Sequence, residues 1–382
     1  MYNTNLCKCG YKKIDNKDYC CVMCYIEKGH GNKCCGKENN TIIIGSEGSG
    51  YTNSYYFINY LIYLYNPNLI PIYKNNNNCE LIIYTHFLHQ EEKWNNIKKP
   101  YILYNNESSK RFWGNIITEA DKNNINYSKK ITFSTIFENN IDHHIPTGFH
   151  DYIKIKKLNL WNNNYKNIKE RKYFFGYCIL NTKAKVNTNR IKFVDLFTKY
   201  TKKTYALGEY CHPKSIHTKL NFDYNGDKNH SNFLNKNADK STEELIKKYS
   251  EFKFILAAEN TIEYGYMTEK IINALAAGCI PIYIGSSEYI KKLINPKRII
   301  IANDFNDPNE CIKYILSLKE EDFDNYQKEP IFTNEKESEI FRELYNRDSS
   351  ENKKLIDNMK YLLDDILIKN NNKNTEISLN KL

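Results

Sequence analysis

Side chains able to carry a reaction gather most densely between Phe252 and Ser286, in FKFILAAENTIEYGYMTEKIINALAAGCIPIYIGS. An apolar run, a polar loop, a helical period and a second apolar run follow in turn. The segment therefore reads as strand, loop, helix, strand and turn. Thr268 falls at the N-cap, Glu269 and Lys270 in the first turn, and Gly278 at the helix end. Ile271, Ile272, Leu275 and Ala276 give that helix its buried face. A helix N-terminus offers unpaired N–H groups and the positive end of its dipole, which together suit a phosphate. Lys270 would add a formal charge there, and Glu269 would accept hydrogen bonds from sugar or ribose hydroxyls. Spacing alone also admits a capping carboxylate beside a solvated lysine.

A second concentration sits at the start of the chain. Seven of the twelve cysteines, Cys7, Cys9, Cys20, Cys21, Cys24, Cys34 and Cys35, fall in the first 40 residues, with His30 among them. Adjacent cysteines do not bridge one another easily, and nothing in the opening residues resembles a signal peptide, so a disulfide framework is disfavoured. Thiolate and imidazole in short-spaced pairs suit a tetrahedral structural zinc, which would fold a segment too short to build a core. The expected ligands are Cys21, Cys24 and His30, joined by Cys7 or Cys9 and by Cys34 or Cys35. Redox-sensitive free thiols are the alternative. Such a module could take a protein partner. Cys178 and Cys279 lie inside apolar runs and read as core residues.

The framework around these groups follows from the apolar pattern. Thr41–Ile44, Leu81–Thr85, Tyr101–Tyr104 and Lys130–Phe137 read as one set of strands, and Tyr173–Leu180, Phe252–Ala257, Ile280–Ile284 and Ile299–Ile301 as another. Amphipathic stretches at Arg190–Tyr200, Thr242–Tyr249, Thr268–Ala277, Asn309–Leu318 and Ser350–Ile368 read as helices. Continuous apolar strands separated by helices imply parallel sheets covered on both faces. An α/β chain of two Rossmann-like domains facing a cleft is expected, in keeping with its 382 residues. Residues 221–240 read as a long polar loop and 369–382 as a frayed tail.

Several features exclude function classes. The longest apolar stretch, Tyr55–Tyr65, is well short of the roughly 20 residues that span a bilayer, so a soluble, cytoplasmic chain is expected. The net charge of +10 favours an anionic partner, but Lys, Asn, Ile and Tyr are all abundant and part of the excess is compositional. No basic run interleaved with aromatics points to nucleic acid. Gly45, Gly48 and Gly50 miss the order of a dinucleotide loop, and no P-loop lysine follows them, leaving a strand-to-helix turn. Asp322-Phe323-Asp324 spells a metal motif literally but reads as solvated surface, and His143-His144 as loop histidines, so no catalytic metal is expected.

The segment Phe252-Lys253-Phe254, Glu259-Asn260-Thr261, Tyr266-Met267-Thr268-Glu269-Lys270 and Pro281 through Gly285 strongly resembles the signature of glycosyltransferase family 10, the GDP-fucose-dependent α1,3-fucosyltransferases. The resemblance extends over most of residues 80–330. It takes in Tyr173–Asn181 followed by Asn189-Arg190, the strand-end Asn303-Asp304-Phe305, and Ile141 through Gly148. Tyr104 through Ser109 is similar to the family's strand-end E-S-P element, with Ser109 in place of Pro. The resemblance implies a GT-B-like fold and GDP-β-L-fucose as the donor. It implies an acceptor glycan and inversion at the anomeric carbon, with Glu107 as general base. Arg190 would hold the donor pyrophosphate, and Glu259, Asn260, Tyr266, Glu269 and Lys270 would complete the donor site. The expected division is a zinc module at 1–40, an acceptor-side domain at 41–165, a donor domain at 166–335 and a C-terminal helix and tail at 336–382. A catalytically inactive zinc-dependent scaffold on this fold, or a transferase of another nucleotide sugar, is the alternative.

Overall fold

The computed structural model describes residues 41–47, 54–67, 69–73, 79–85, 100–105, 129–135, 141–161, 167–180, 188–201, 203–218 and 236–379. Glu107 and the cysteine-rich segment, with Cys7, Cys9, Cys21, Cys24, His30, Cys34 and Cys35, lie outside them.

Short runs of aliphatic and aromatic residues form twelve strands among the described residues: β1 (Thr41–Glu47), β2 (Ile70–Tyr73), β3 (Leu81–Thr85), β4 (Tyr101–Asn105), β5 (Lys130–Ser134), β6 (His143–His144), β7 (Tyr173–Tyr177), β8 (Thr204–Ala206), β9 (Ile216–His217), β10 (Phe252–Ala258), β11 (Ile280–Ile284) and β12 (Ile300–Ile301). They make two six-stranded sheets in the orders β2-β1-β3-β4-β5-β6 and β12-β11-β10-β7-β8-β9. Every ladder within them is parallel. All residues of β4 and of β11 are buried, as strands covered on both faces require. In each sheet the first strand lies where the winding reverses, β1 beside β3 and β7 beside β10. The crevice outside the carboxyl ends at such a reversal is where parallel sheets take ligands.

Between the strands run α1 (Ser54–Tyr65), α2 (Thr147–Lys157), α3 (Thr188–Tyr200), α4 (Lys236–Tyr249), α5 (Glu269–Ala276), α6 (Ser287–Leu293), α7 (Pro308–Ser317), α8 (Glu320–Lys328), α9 (Glu339–Arg342) and α10 (Ser350–Leu379). Phe193, Val194 and Phe197 of α3 share a core with Ile312 and Ile315 of α7 on one face of the second sheet. Ile271, Ile272 and Leu275 of α5 belong to the larger core that also holds Phe149 and Ile153 of α2. The first half of the chain thus packs directly on the helix that carries Glu269 and Lys270. The closest approach is at Gly148, whose N–H donates to the Met267 carbonyl at 2.9 Å. A Cβ there would stand 2.9 Å from the Thr268 carbonyl, so only glycine fits without moving that backbone.

The chain ends by crossing back. From α10, Asn352 accepts from the Tyr60 hydroxyl and Asp364 from Tyr65 at 2.7 Å, while Asp365 pairs with Lys129 at 2.7 Å. Asn358 meets His143 at 2.5 Å. Among the described residues no helix is long and apolar enough to cross a membrane.

Several expectations are corrected. Residues 369–379 continue α10 rather than fraying, and α4 begins at Lys236, inside the stretch read as loop. Gly45 sits within β1 rather than in a turn. Asp322-Phe323-Asp324 lies in α8, where Phe323 is buried and Asp324 pairs with Lys169 at 2.7 Å; the acids flank a core side chain. His143 and His144 form β6 instead of a loop: His143 stacks on Phe133, and the His144 Nε2 lies 3.0 Å from the Thr135 carbonyl.

Candidate active site

The polar cluster at the carboxyl edge of the second sheet is built by two short stretches. β10 ends at Ala258, and Glu259 continues its line, its N–H donating to the Ile284 carbonyl of neighbouring β11 at 2.8 Å. The loop then returns to Thr268, the N-cap of α5. Gly278, at φ 69°, closes this helix: its N–H donates to Leu275 at 2.9 Å and that of Cys279 to Ala274 at 3.0 Å, the paired pattern of a Schellman end. The C-terminal end of α5 is thereby fixed by local bonding.

Thr268 caps by its backbone position alone; its side chain makes no capping bond. It serves Glu259 instead. The Thr268 N–H donates to Glu259 Oε1 at 2.8 Å and its hydroxyl to Oε2 at 2.6 Å. Lys270 Nζ donates to the Thr268 hydroxyl at 2.8 Å, pairs with Glu269 at 3.0 Å and stands 3.6 Å from Glu259. A carboxylate whose side chain is wholly buried is thus held by two hydrogen bonds and one cation. Burial pushes the Glu259 carboxyl up, against the opposing pull of Lys270. At Lys270 burial acts downward, but Glu269 and Glu259 outweigh it and raise the ammonium above its ordinary value. At Glu269 burial acts upward and Lys270 outweighs it, leaving the carboxyl low. The shifts at Lys270 and Glu269 both favour their charged forms.

Arg190 begins α3 just beyond β7, across the sheet reversal from Glu259, and is buried. Its positive charge is felt at Lys270, which places two cations in one crevice. The structure thus brings together Arg190, Glu259, Glu269 and Lys270. Tyr266 is buried one turn ahead of α5 and Asn260 is half-buried beside Glu259. Glu107 follows the last residue of β4 by two positions and lies outside the described residues. Asp304 braces the neighbouring loop, accepting from the Ser287 hydroxyl and pairing with Lys291 at 2.8 Å, while Asn303 accepts from the Gly285 N–H at 3.2 Å.

Two features of the site were missed by sequence reasoning. Asp151 of α2 is buried toward α5. Burial pushes its carboxyl up to about 7, with Lys154 and Lys270 acting downward and Glu269 upward. An acid among Phe149, Tyr152, Ile153 and Ile155 was the available signal. The second is a cleft of about 580 Å³ between α3 and the ends of β11 and β12. Among the described residues no group of three or more His, Cys, Asp or Glu side chains is arranged to hold a metal.

This arrangement can neutralise and orient a polyphosphate at a helix start. Residues 181–351 match the family described as glycosyltransferase family 10 (fucosyltransferase), C-terminal. A stretch of 69 residues is 48% identical to the alpha-(1,3)-fucosyltransferase FucT of Helicobacter pylori, covering 18% of this chain and 14% of that protein. Another of 82 residues is 43% identical to the mouse 4-galactosyl-N-acetylglucosaminide 3-alpha-L-fucosyltransferase 9, covering 21% of this chain and 22% of the relative. A third of 73 residues is 40% identical to the chicken GDP-fucose protein O-fucosyltransferase 3, covering 19% and 15%. The matches thus span between 14% and 22% of these relatives' lengths. Crystal structures of an α1,3-fucosyltransferase with GDP and with GDP-fucose superpose at TM-scores of 0.55 and 0.53. Each covers 89% of this chain and 95% of its own, at 17% and 18% identity. The two parallel sheets are accordingly GT-B-like, as the family resemblance implied.

Proposed function

We propose that the chain transfers L-fucose from GDP-β-L-fucose to a hydroxyl of an acceptor glycan, forming an α1,3 linkage to N-acetylglucosamine with inversion. The observation that carries this reading is the interlocked Glu259–Thr268–Lys270–Glu269 cluster beside Arg190 at the start of α5. Residues 166–335 would hold the donor and residues 41–165 the acceptor. As the bond between the anomeric carbon and the β-phosphate oxygen breaks, its electron pair leaves with GDP. Lys270, Arg190 and the first N–H groups of α5 stabilise that charge. The acceptor oxygen attacks the opposite face of an oxocarbenium-like centre and gives its proton to Glu107. Asn260 and Tyr266 flank the donor, and Glu269 accepts from its hydroxyls. Family 10 similarity over residues 181–351 supports the donor assignment. Structural zinc on ligands drawn from Cys21, Cys24 and His30, with Cys7 or Cys9 and Cys34 or Cys35, as one four-ligand site with bystander thiols or as two ions, belongs to the same proposal, and metal analysis of the purified chain tests it.

The function is tested by incubating the full chain with GDP-fucose and N-acetyllactosamine and following release of GDP and fucosylated product. Glu107→Gln is expected to lower turnover by about 10²–10⁴-fold with donor affinity kept. Near-normal turnover in that variant rejects the assigned base, and no product from the parent chain rejects the function.

A further inference from the structure

The first half of the chain reaches the loop between β10 and α5 at Gly148, on the Met267 carbonyl, and again at His144 of β6. His144 Nε2 lies 3.0 Å from the carbonyl of Thr135, just past β5, and Nδ1 lies 3.4 Å from the hydroxyl of Tyr289 in α6. The ring also hydrogen-bonds the backbone of Gly265, where the loop turns at φ 91°, a conformation that favours glycine. Burial keeps this imidazole neutral at pH 7, and a neutral imidazole donates through one nitrogen and accepts through the other. The ring therefore has polar partners in both halves of the chain at once.

Each partner leads toward a proposed site residue. The Thr135 N–H donates at 2.9 Å to the carbonyl of Asn105, the last residue of β4, and Glu107 follows two positions later. On the other side, the Tyr289 ring meets His144 and Tyr264 edge to face, both at 5.3 Å. Lys292 Nζ donates to the Tyr264 hydroxyl at 2.6 Å, and Tyr264 and Gly265 directly precede Tyr266. We infer that His144 is a positioning residue: by joining Thr135 to Gly265 and Tyr289, it sets the spacing between the strand ends of the first sheet and the loop that enters α5. The inference rests on the proposed transfer and adds what holds its two sides in register. A misplacement of about 1 Å between reacting groups costs about 10²-fold in rate. The residues assigned to the donor all lie in the second half, so losing the bridge should slow transfer and spare donor binding.

Steady-state kinetics of the full chain with GDP-fucose and N-acetyllactosamine, alongside calorimetric affinity for GDP, test this. His144→Phe keeps a ring and removes its polar contacts. Its kcat is expected to fall by about 10–100-fold, with GDP affinity within about twofold of the parent. His144→Gln keeps a donor and an acceptor at the end of the side chain and should recover most of that loss. Tyr289→Phe removes one hydroxyl and should lower kcat by about 2–10-fold; it carries the test if His144→Phe does not fold, and an unchanged kcat there then overturns the inference. A parent-like kcat in His144→Phe overturns the inference and leaves the transfer reading intact. So does a fall in GDP affinity as large as the fall in kcat, or a glutamine variant as slow as the phenylalanine one, since His144 would then serve folding alone. A parent chain that forms no product overturns both.

Discussion

At the carboxyl edge of the second sheet, Lys270 stands within 3.6 Å of both Glu259 and Glu269, with the Arg190 charge close by. The matching edge of the first sheet leads instead to His143, His144 and, on α2, His150. Burial holds all three down, to about 4, 4 and 3, so they are neutral at pH 7. His150 stacks on Phe57 at 4.4 Å and His143 on Phe133 at 5.1 Å. Both sheets have six parallel strands and the same reversal beside the first. Among the described residues, the same scaffold therefore carries an ion network at one edge and these uncharged rings at the other. The charge of that edge comes from the side chains grafted onto the fold and not from the fold.

The largest expected effect lies on the charged side. Lys270→Ala should lower kcat/KM for the proposed fucosyl transfer by about 10²–10³-fold, since it removes a cation assigned to the leaving diphosphate. A loss below tenfold would erase the contrast between the two edges. The crossing helix comes next. Asn352 is buried, accepts from Tyr60 and donates to the carbonyls of Glu343 at 3.0 Å and Asn346 at 2.7 Å. Asn352→Ala should cost about 2–4 kcal/mol in urea unfolding, because it leaves buried polar groups without partners.

Acid should act first on the uncharged side. The unfolded chain takes up protons on these histidines below about pH 6.5, whereas the folded chain resists until about 4 or lower. Their contribution to stability is therefore lost as pH falls through that window. The melting midpoint should drop by roughly 5 °C or more between pH 7 and 4.5. The drop should be smaller in His150→Phe, and an equal drop in parent and variant would show that the histidines do not set the acid sensitivity. The smallest effect is at the junction of the two regions. Asp151 holds its proton to about pH 7 in the folded chain but gives it up near 3.8 when unfolded, so stability falls as pH rises between those values. Asp151→Asn should melt a few degrees above the parent at pH 8, and the difference should shrink as pH falls toward 4.

The sequence was most legible where local pattern and tertiary role coincide. Ile280–Ile284 follows from an apolar run, the start of α5 from a threonine at the N-cap position, and its end from Gly278, which bonds within its own last turn. The role of Thr268 was less visible, because its hydroxyl goes to Glu259, nine residues back, rather than to its own helix. Features fixed by distant partners could not be read. His143 and Tyr60 are placed by α10 residues more than 200 positions away. The acids around Phe323 resemble solvated surface until that ring is seen in the core. The ten apolar and aromatic residues of Tyr55–Tyr65, interrupted only by Asn59, hide a helical face, so α1 gave no period.

The proposed transfer depends on the cluster at the start of α5 receiving the diphosphate of the donor. Calorimetric affinities of GDP and guanosine for the full chain, in the parent and in Lys270→Ala, isolate that contact. The parent should bind GDP at least about 100-fold more tightly than guanosine, and Lys270→Ala should remove most of that difference. Equal affinity for GDP and guanosine in the parent, or an undiminished difference in the variant, would mean that the diphosphate is held elsewhere.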